Sequence, residues 1–264
     1  MKMHIYKNNS GYSFKGIPYR IAFYFYRLIP VELTNWISKN TFSNKIKIKI
    51  RGVLARGCTR EDIYSSTYYL YVDKEAQKSA DAITQMICML FSPKSVIDIG
   101  CGTGALLHKI QKTLELTSTE KNVRCKGLEY SEAAIQVCRS RKLNVDKFDI
   151  ELNLSNIDEK DIFDVAISLE VAEHISPNAG DSLVRLLCVK SKNIVFSAAT
   201  PGQGGGVDHI NEQPHEYWIE RFNRSQYQID IASTKTFRDF LRKKQVASFY
   251  SENIMIFKSS PNSH

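Results

Sequence analysis

The period of the apolar residues changes along the chain. From Asp73 to Phe91 they fall at 76, 80, 83, 86, 87 and 90, the spacing of a helix face, and Ser92-Pro93-Lys94 ends that element. The next run, SVIDIG at 95–100, reads as a strand, followed by the glycine-rich CGTG and an apolar helix, ALLHKIQKTL. A second short strand, RCKGLEY, leads to a helix from Ser131. VDKFDI, FDVAISLE and NIVFSAAT read as further strands, with a helix from about Ser176 between the last two. Strands alternating with helices predict an α/β fold, a doubly wound and mostly parallel sheet with helices on both faces. Runs such as VAISL suit strands buried on both sides. QIDIAS and ENIMIF predict two more strands, an antiparallel pair at the sheet edge.

Ser176 can cap its helix with Pro177 at the first position, where a missing N–H costs nothing. EVAEHI, at 170–175, is then a tight turn or a single helical turn beyond the carboxyl end of a strand, the edge at which open α/β sheets bind ligands. Helical offsets of three and four would bring Glu170, Glu173 and His174 onto one face.

Before residue 65 the pattern differs. NKIKIKIRG at 44–52 alternates Lys with Ile, as a half-exposed strand does, and YRIAFYFYRLIPVELTNWI at 19–37 interleaves aromatics with arginines. Its charges and Pro30 argue against spanning a membrane; it reads either as a helix pair covering the main domain or as an element lying on an anionic surface. Residues 1–60 hold twelve Lys/Arg and one acid, Glu32, a net +11 against +8 for the whole chain, so the remainder carries −3. The basicity belongs to this arm, which could meet nucleic acid, anionic lipid or an acidic partner. The chain thus divides into a basic appendage (1–64), a main domain (65–258) and a short tail (259–264).

Six cysteines, at 58, 88, 101, 125, 138 and 188, form no CxxC pair, which suggests a reduced, cytoplasmic protein without a disulfide framework or zinc site. No signal peptide or transmembrane span is expected; peripheral contact with the inner face of the membrane through the N-terminal segment is compatible with the pattern.

In DIGCGTGA, Gly100, Gly102 and Gly104 follow a strand, so the backbone can approach a ligand closely. Asp98 would set a carboxylate beside the pyrophosphate of a dinucleotide, an unfavourable pairing. S-adenosylmethionine instead brings a sulfonium and an ammonium, for which an acid is an asset. Glu129, ending the next strand, can accept hydrogen bonds from ribose hydroxyls.

In VIDIGCGTGALL, GLEYS, FDVAISLEVAEHI and VFSAATPGQGGG, taken in order, the chain resembles the class I S-adenosylmethionine-dependent methyltransferases over roughly residues 65–258. The resemblance implies a Rossmann-like methyltransferase fold. It places Asp98, Gly100, Gly102 and Gly104 at the methionine end of the cofactor, Glu129 on the ribose and Asp149 near the adenine amino group, with Glu170 also at the cofactor site. The segment between Asp98 and Glu129 is longer than usual, with ELTSTEKN the expected insertion. YYLYVDKEAQKSA and GQGGGVDHINEQPHEYW look like a bacterial subgroup whose members often accompany polysaccharide-modifying enzymes.

Methyl transfer is an in-line displacement, so positioning supplies much of the catalysis, but a hydroxyl acceptor must also lose a proton to a base or be acidified by a metal. Enzymes that methylate amino groups of nucleobases carry Asn/Asp-Pro-Pro-Tyr/Phe after the fourth strand, and cytosine-C5 enzymes a catalytic cysteine. This chain has EVAEH, which resembles ubiquinone-type O-methyltransferases and small-RNA 2′-O-methyltransferases; in the latter, Glu-x-x-Glu-His and a downstream His hold magnesium. The resemblance makes Glu170, Glu173, His174 and His209 a set for Mg²⁺ or Mn²⁺. The alternatives are His174 as base without metal, assisted by Glu170 and Glu173, or a structural cluster. Gly202 and Gly204 to Gly206 mark a loop able to close over substrate, with Gln203, His209, Asn211 and Gln213 as polar contacts. His215 reads as a solvated residue near a helix start, and Trp218 and Phe222 as core.

The expected function is O-methylation of a sugar, glycan precursor or small metabolite. RNA 2′-O-methylation is the rival within enzymes, since a basic arm favours phosphate contacts. A membrane-associated, cofactor-binding partner protein without turnover is the rival outside them.

Overall fold

The computed structural model describes residues 6–8, 11–13, 66–117, 123–152, 160–203 and 209–260. The chain divides into two units, Met1–Ser65 and Ser66–His264. In the first, β1 (Tyr6–Asn8) and β2 (Gly11–Ser13) pair antiparallel. The Lys-Ile alternation at 44–52, the aromatic segment at 19–37 and residues 118–122 of the expected insertion lie outside the described residues.

The second unit runs α1 (Ser66–Phe91), β3 (Ser95–Ile99), α2 (Ala105–Thr117), β4 (Arg124–Glu129), α3 (Glu132–Ser140), β5 (Val145–Lys147) and β6 (Val165–Leu169). It continues through α4 (Pro177–Lys190), β7 (Asn193–Ser197), α5 (His215–Arg224), β8 (Tyr227–Ile229), α6 (Ile231–Lys243), α7 (Ser248–Ser251) and β9 (Met255–Ser259). The seven strands lie in the order β5-β4-β3-β6-β7-β9-β8. The first five are parallel; β9 runs against both β7 and β8, the expected antiparallel pair. The direction of strand addition reverses between β3 and β6, so a crevice opens beyond their carboxyl ends.

Two elements differ from their expected extents. α1 starts at Ser66 rather than Asp73; Tyr69 is buried and its hydroxyl lies 3.4 Å from Glu129, so packing carries the helix through an aromatic stretch of weak helical propensity. VDKFDI yields only a three-residue β5. The Phe148 amide still donates to the Glu129 carbonyl at 2.8 Å, but Asp149 then accepts from the Glu151 amide at 2.9 Å and turns the chain away.

Alternation along the strands divides the core into two layers. Ala166, Ile194, Phe196 and Phe257 face α4 and α5, packing on Leu183, Leu187, Trp218 and Phe222. Val165, Ile167, Val195 and Ile256 face α1, α2 and α6, packing on Ile83, Ile87, Leu107, Ile110 and Phe237. Ser131 and Ser176 cap α3 and α4 with their hydroxyls, and Pro177 takes the first position of α4. These caps fix helix starts beside the two loops that form the site.

Candidate active site

At the carboxyl end of β3 the Gly100 and Cys101 amides both turn onto the Leu128 carbonyl, at 2.8 and 3.2 Å, which bends the glycine loop across β4. Gly100, Gly102 and Gly104 all hold positive φ, at 76°, 54° and 73°. A Cβ at Gly100 would lie 2.5 Å from the Val171 side chain, so that glycine is required by packing. A Cβ at Gly102 would meet nothing nearer than the Tyr69 ring at 3.8 Å, so this glycine borders open space where a ligand can lie against bare backbone.

Two buried acids, Asp98 and Glu129, lie at the strand ends beside this loop. Asp98 is 4% exposed, and burial together with the neighbouring Glu129 charge pushes its carboxyl up to about 7. Glu129 accepts from the Gly102 amide at 2.8 Å, the Ser131 amide at 2.8 Å and the Tyr69 hydroxyl; burial raises it, and these donors oppose the shift. A buried acid pair of this kind is matched by a cationic ligand carrying a diol, which is the chemistry of a sulfonium nucleoside. Asp149 occupies the turn after β5, beside buried Ile150. Glu151 takes both the Ser176 amide and hydroxyl at 2.8 Å, which ties this turn to the cap of α4.

Beyond β6, EVAEHI forms a single 3-10 turn over Ala172–His174. Glu170 itself holds φ 56°, left-handed for a residue with a Cβ, and its amide and carboxylate are both fixed by Ser197; the Ser197 hydroxyl donates to Oε1 at 2.8 Å. Asn253 and Gln203 also approach this carboxyl, and Asn253 donates to the Gln203 side chain at 2.6 Å. Glu173 is fully buried and neither of its oxygens has a donor at full hydrogen-bond geometry; its carboxyl lies against that of Glu170, close enough to share a proton, and near the Glu173 and Ala199 amides. Burial raises both carboxyls, and in Glu173 the Glu170 charge adds to the effect. Two such groups in a dry site cannot both ionise unless a cation joins them.

The backbone brings imidazoles to this pair. The Glu173 carbonyl accepts from the Ile210 and Asn211 amides at 2.8 and 2.9 Å, which draws the segment after the glycine-rich loop onto the turn. The His174 and His209 rings stand edge to face at 4.8 Å, and His174 Nε2 lies 4.0 Å from Glu173. His209 Nδ1 lies 3.0 Å from the Glu212 carboxylate, which fixes the ring's orientation. Glu173, His174 and His209 offer ligand atoms all within 4.8 Å of one another.

The other residues expected at the site are placed as follows. Asn211 is 2% exposed and its amide is engaged by the Ala172 carbonyl and by Gln213. Gln203 is exposed at the end of β7's loop, held by Asn253. His215 opens α5 as expected but is half-buried rather than solvated: its Nε2 is enclosed without a partner, and burial lowers its pKa. Sequence reasoning missed Tyr69, Asp73, Arg141, Ser197 and Asn253, whose partners lie 27 to 68 residues away and carry no spacing signal.

A family model described as a methyltransferase domain matches residues 90–245. No curated protein matches the chain. Among solved structures, the chain is similar to magnesium protoporphyrin IX methyltransferase (ChlM) from Synechocystis PCC 6803 with bound SAH, with TM-score 0.50 and 13% identity over 70% of this chain and 84% of that one. It is also similar to a SAM-dependent methyltransferase from Archaeoglobus fulgidus (TM-score 0.48, 16% identity, 73% and 99% covered). A third is the methyltransferase domain of bacterial CtHen1 (TM-score 0.49, 16% identity, 70% and 99% covered). The sheet order and flanking helices are those of a Rossmann-like methyltransferase fold.

Proposed function

We propose, from the premise that the chain belongs to the methyltransferase-domain family and is an S-adenosylmethionine-dependent class I methyltransferase, that its acceptor is a hydroxyl of a sugar, glycan precursor or other small metabolite. The observation that carries this reading is Glu173, a buried carboxyl without a donor at full hydrogen-bond geometry, beside His174 and His209 at the carboxyl end of β6. An amine acceptor can attack through its own lone pair, whereas a hydroxyl needs its proton removed, and this cluster supplies the means.

When bound, the cofactor would supply a sulfonium methyl for in-line transfer to the acceptor oxygen, with the sulfur leaving as a neutral thioether. Asp98 would hold the cationic methionine end of the cofactor, Glu129 the ribose and Asp149 the adenine side, at the same carboxyl edge of the sheet as the Glu173–His174 turn. His174 takes the hydroxyl proton, and the Glu170–Glu173 pair stabilises the imidazolium that results. Gln203, His209 and Gln213 would orient the acceptor, while Asn211, buried and bonded to the Ala172 carbonyl and Gln213, holds that segment in place.

A divalent cation fits the same residues. Glu173, His174 and His209 would hold it, since a carboxylate with two imidazoles is a donor set for Mn²⁺ or Mg²⁺, and when bound it would acidify the hydroxyl. Glu170 is already engaged by Ser197, so its part would be to charge-balance the site. Activity lost to a chelator and regained with Mn²⁺ or Mg²⁺ supports a metal; full activity after chelation assigns the proton to His174 alone.

Incubation with methyl-labelled cofactor and fractionated cell extract tests the acceptor. Label in a glycan or small-molecule fraction, stable to mild base, is expected. Label in RNA, with binding that weakens steeply as salt rises, would replace this reading by 2′-O-methylation. No labelled fraction, together with co-sedimentation on anionic liposomes that is lost on deleting residues 1–60, would favour a docking protein without turnover. Among the described residues no helix is long and apolar enough to cross a membrane.

A further inference from the structure

Thr103, inside the glycine loop, is held by side chains from two different helices. Its hydroxyl donates to Asp73 on α1, and its carbonyl accepts from Arg141 Nη1 at 2.7 Å, just past the end of α3. Arg141 in turn grips Asp73 with both terminal nitrogens, Nη1 to Oδ1 at 2.9 Å and Nη2 to Oδ2 at 2.8 Å. Arg141 and Asp73 side chains are each 18% exposed, so solvent screens this contact less than the surface pairs of the same helix. Burial opposes ionisation of Asp73, but Arg141 and the Thr103 hydroxyl outweigh it and hold the carboxyl below its ordinary range.

The contact has consequences on both sides of the loop. On α3, the Cys138 thiol donates to the Gly102 carbonyl at 3.2 Å, so two successive loop carbonyls, 102 and 103, are fixed from the end of that helix. On α1, Tyr69 sits one turn before Asp73 and on the same face. Its ring is the nearest group to the open side of Gly102, and its hydroxyl reaches Glu129, which also receives the Gly102 amide. Whatever fixes Asp73 therefore fixes a wall over the space assigned to the methionine and ribose.

We infer that the Asp73–Arg141 pair is a positioning element of the cofactor site, pinning α1 across the glycine loop so that Thr103, Gly102 and Tyr69 keep a ligand-ready arrangement. Arginine suits the position because its planar fork grips both Asp73 oxygens in fixed geometry while Nη1 also reaches the Thr103 carbonyl; a lysine offers one nitrogen on a flexible stem and loses the two-nitrogen grip. The inference rests on the assignment of the cofactor and is independent of the acceptor.

The test is titration calorimetry with S-adenosylhomocysteine on the full chain, comparing Arg141→Lys, Asp73→Asn and Thr103→Val with Lys109→Ala. Lys109 makes a 2.6 Å ion pair with Asp81, which joins α1 to α2 two turns further along and is more exposed. Arg141→Lys and Asp73→Asn should each weaken binding by about tenfold, and Thr103→Val by less. Combining the first two should cost little more than either alone. Lys109→Ala should leave binding unchanged. In turnover, the KM for the cofactor should rise while kcat at saturation holds. Variants with a lowered melting midpoint but unaltered affinity and KM would reduce the pin to a fold contact and overturn the inference. If wild type itself binds no S-adenosylhomocysteine, the cofactor assignment fails and the inference with it; wild-type binding with unaffected variants overturns the pin alone. Arg141→Lys keeps the charge, so the question is answered even if a larger truncation does not fold.

Discussion

The two halves of the crevice are finished to different degrees. On the cofactor side, the polar groups around the loop are paired before any ligand arrives: Glu129 holds the Gly102 and Ser131 amides, and Thr103 is held by Asp73 and Arg141. On the acceptor side, Glu173 lies fully buried with no donor at full hydrogen-bond geometry on either oxygen, facing Glu170 and two imidazoles. Nine-tenths or more of buried polar groups in folded proteins are paired, so a carboxyl without such a donor marks a place where the chain alone does not complete the structure. The first half is built for one invariant ligand. The second is left to be completed by a proton, a cation or the acceptor.

Separate replacement of one acid from each half tests this contrast most strongly. Asp98→Ala should weaken S-adenosylhomocysteine binding by roughly two orders of magnitude or more, because it removes the buried partner of the ligand's ammonium. Calorimetry reads this directly, and unchanged affinity would move the methionine end elsewhere. Glu173→Gln should cut turnover by about 10²- to 10⁴-fold while cofactor affinity stays within about threefold. Loss of both together would mean that the halves are not separable.

A pH series gives a smaller but signed effect. The Asp98 carboxyl titrates near 7 in the folded protein and near 4 when unfolded. Between those values the native state keeps a proton that the unfolded chain has lost, so this group's contribution to stability is full below pH 4 and drains away as pH rises through 7. A cationic ligand prefers the ionised acid. Cofactor affinity should therefore fall as pH drops below 7, by at most about tenfold per unit, and the rise in melting midpoint produced by S-adenosylhomocysteine should be greater at pH 8 than at pH 6. An equal rise at both would remove Asp98 from contact with the ligand's charge. Last, Ser176→Ala should cost about 1 kcal/mol of stability in chemical denaturation, through loss of the α4 cap.

What the sequence disclosed follows the same division. The order of elements was legible because one-sided helices repeat at about 3.6 residues, while strands buried on both faces read as short continuous apolar runs. The positions of Asp98 and Glu129 at the carboxyl ends of β3 and β4 were legible, because one lies just before a glycine loop and the other just before the cap of α3. The pin was not readable: Asp73 and Arg141 are 68 residues apart and look like ordinary surface charges until the fold apposes them. Nor was the left-handed Glu170, since its strain is set by Ser197 on the neighbouring strand rather than by its own sequence context. Solvation of His215 was misjudged for a related reason, as the helix it starts is tilted inward by Trp218 and Phe222, both fully buried.

The sheet order has a consequence for biosynthesis. β9 is translated after every other strand, yet it lies between β7 and β8, and both the Asp230 amide and the Thr234 hydroxyl wait for Ile256. Without β9, the β7 edge would have no backbone partner, the kind of surface on which chains aggregate. Until residues 255–259 pair with β7, the strand that carries Ser197, and with it the fixed position of Glu170, lacks a backbone partner along one edge.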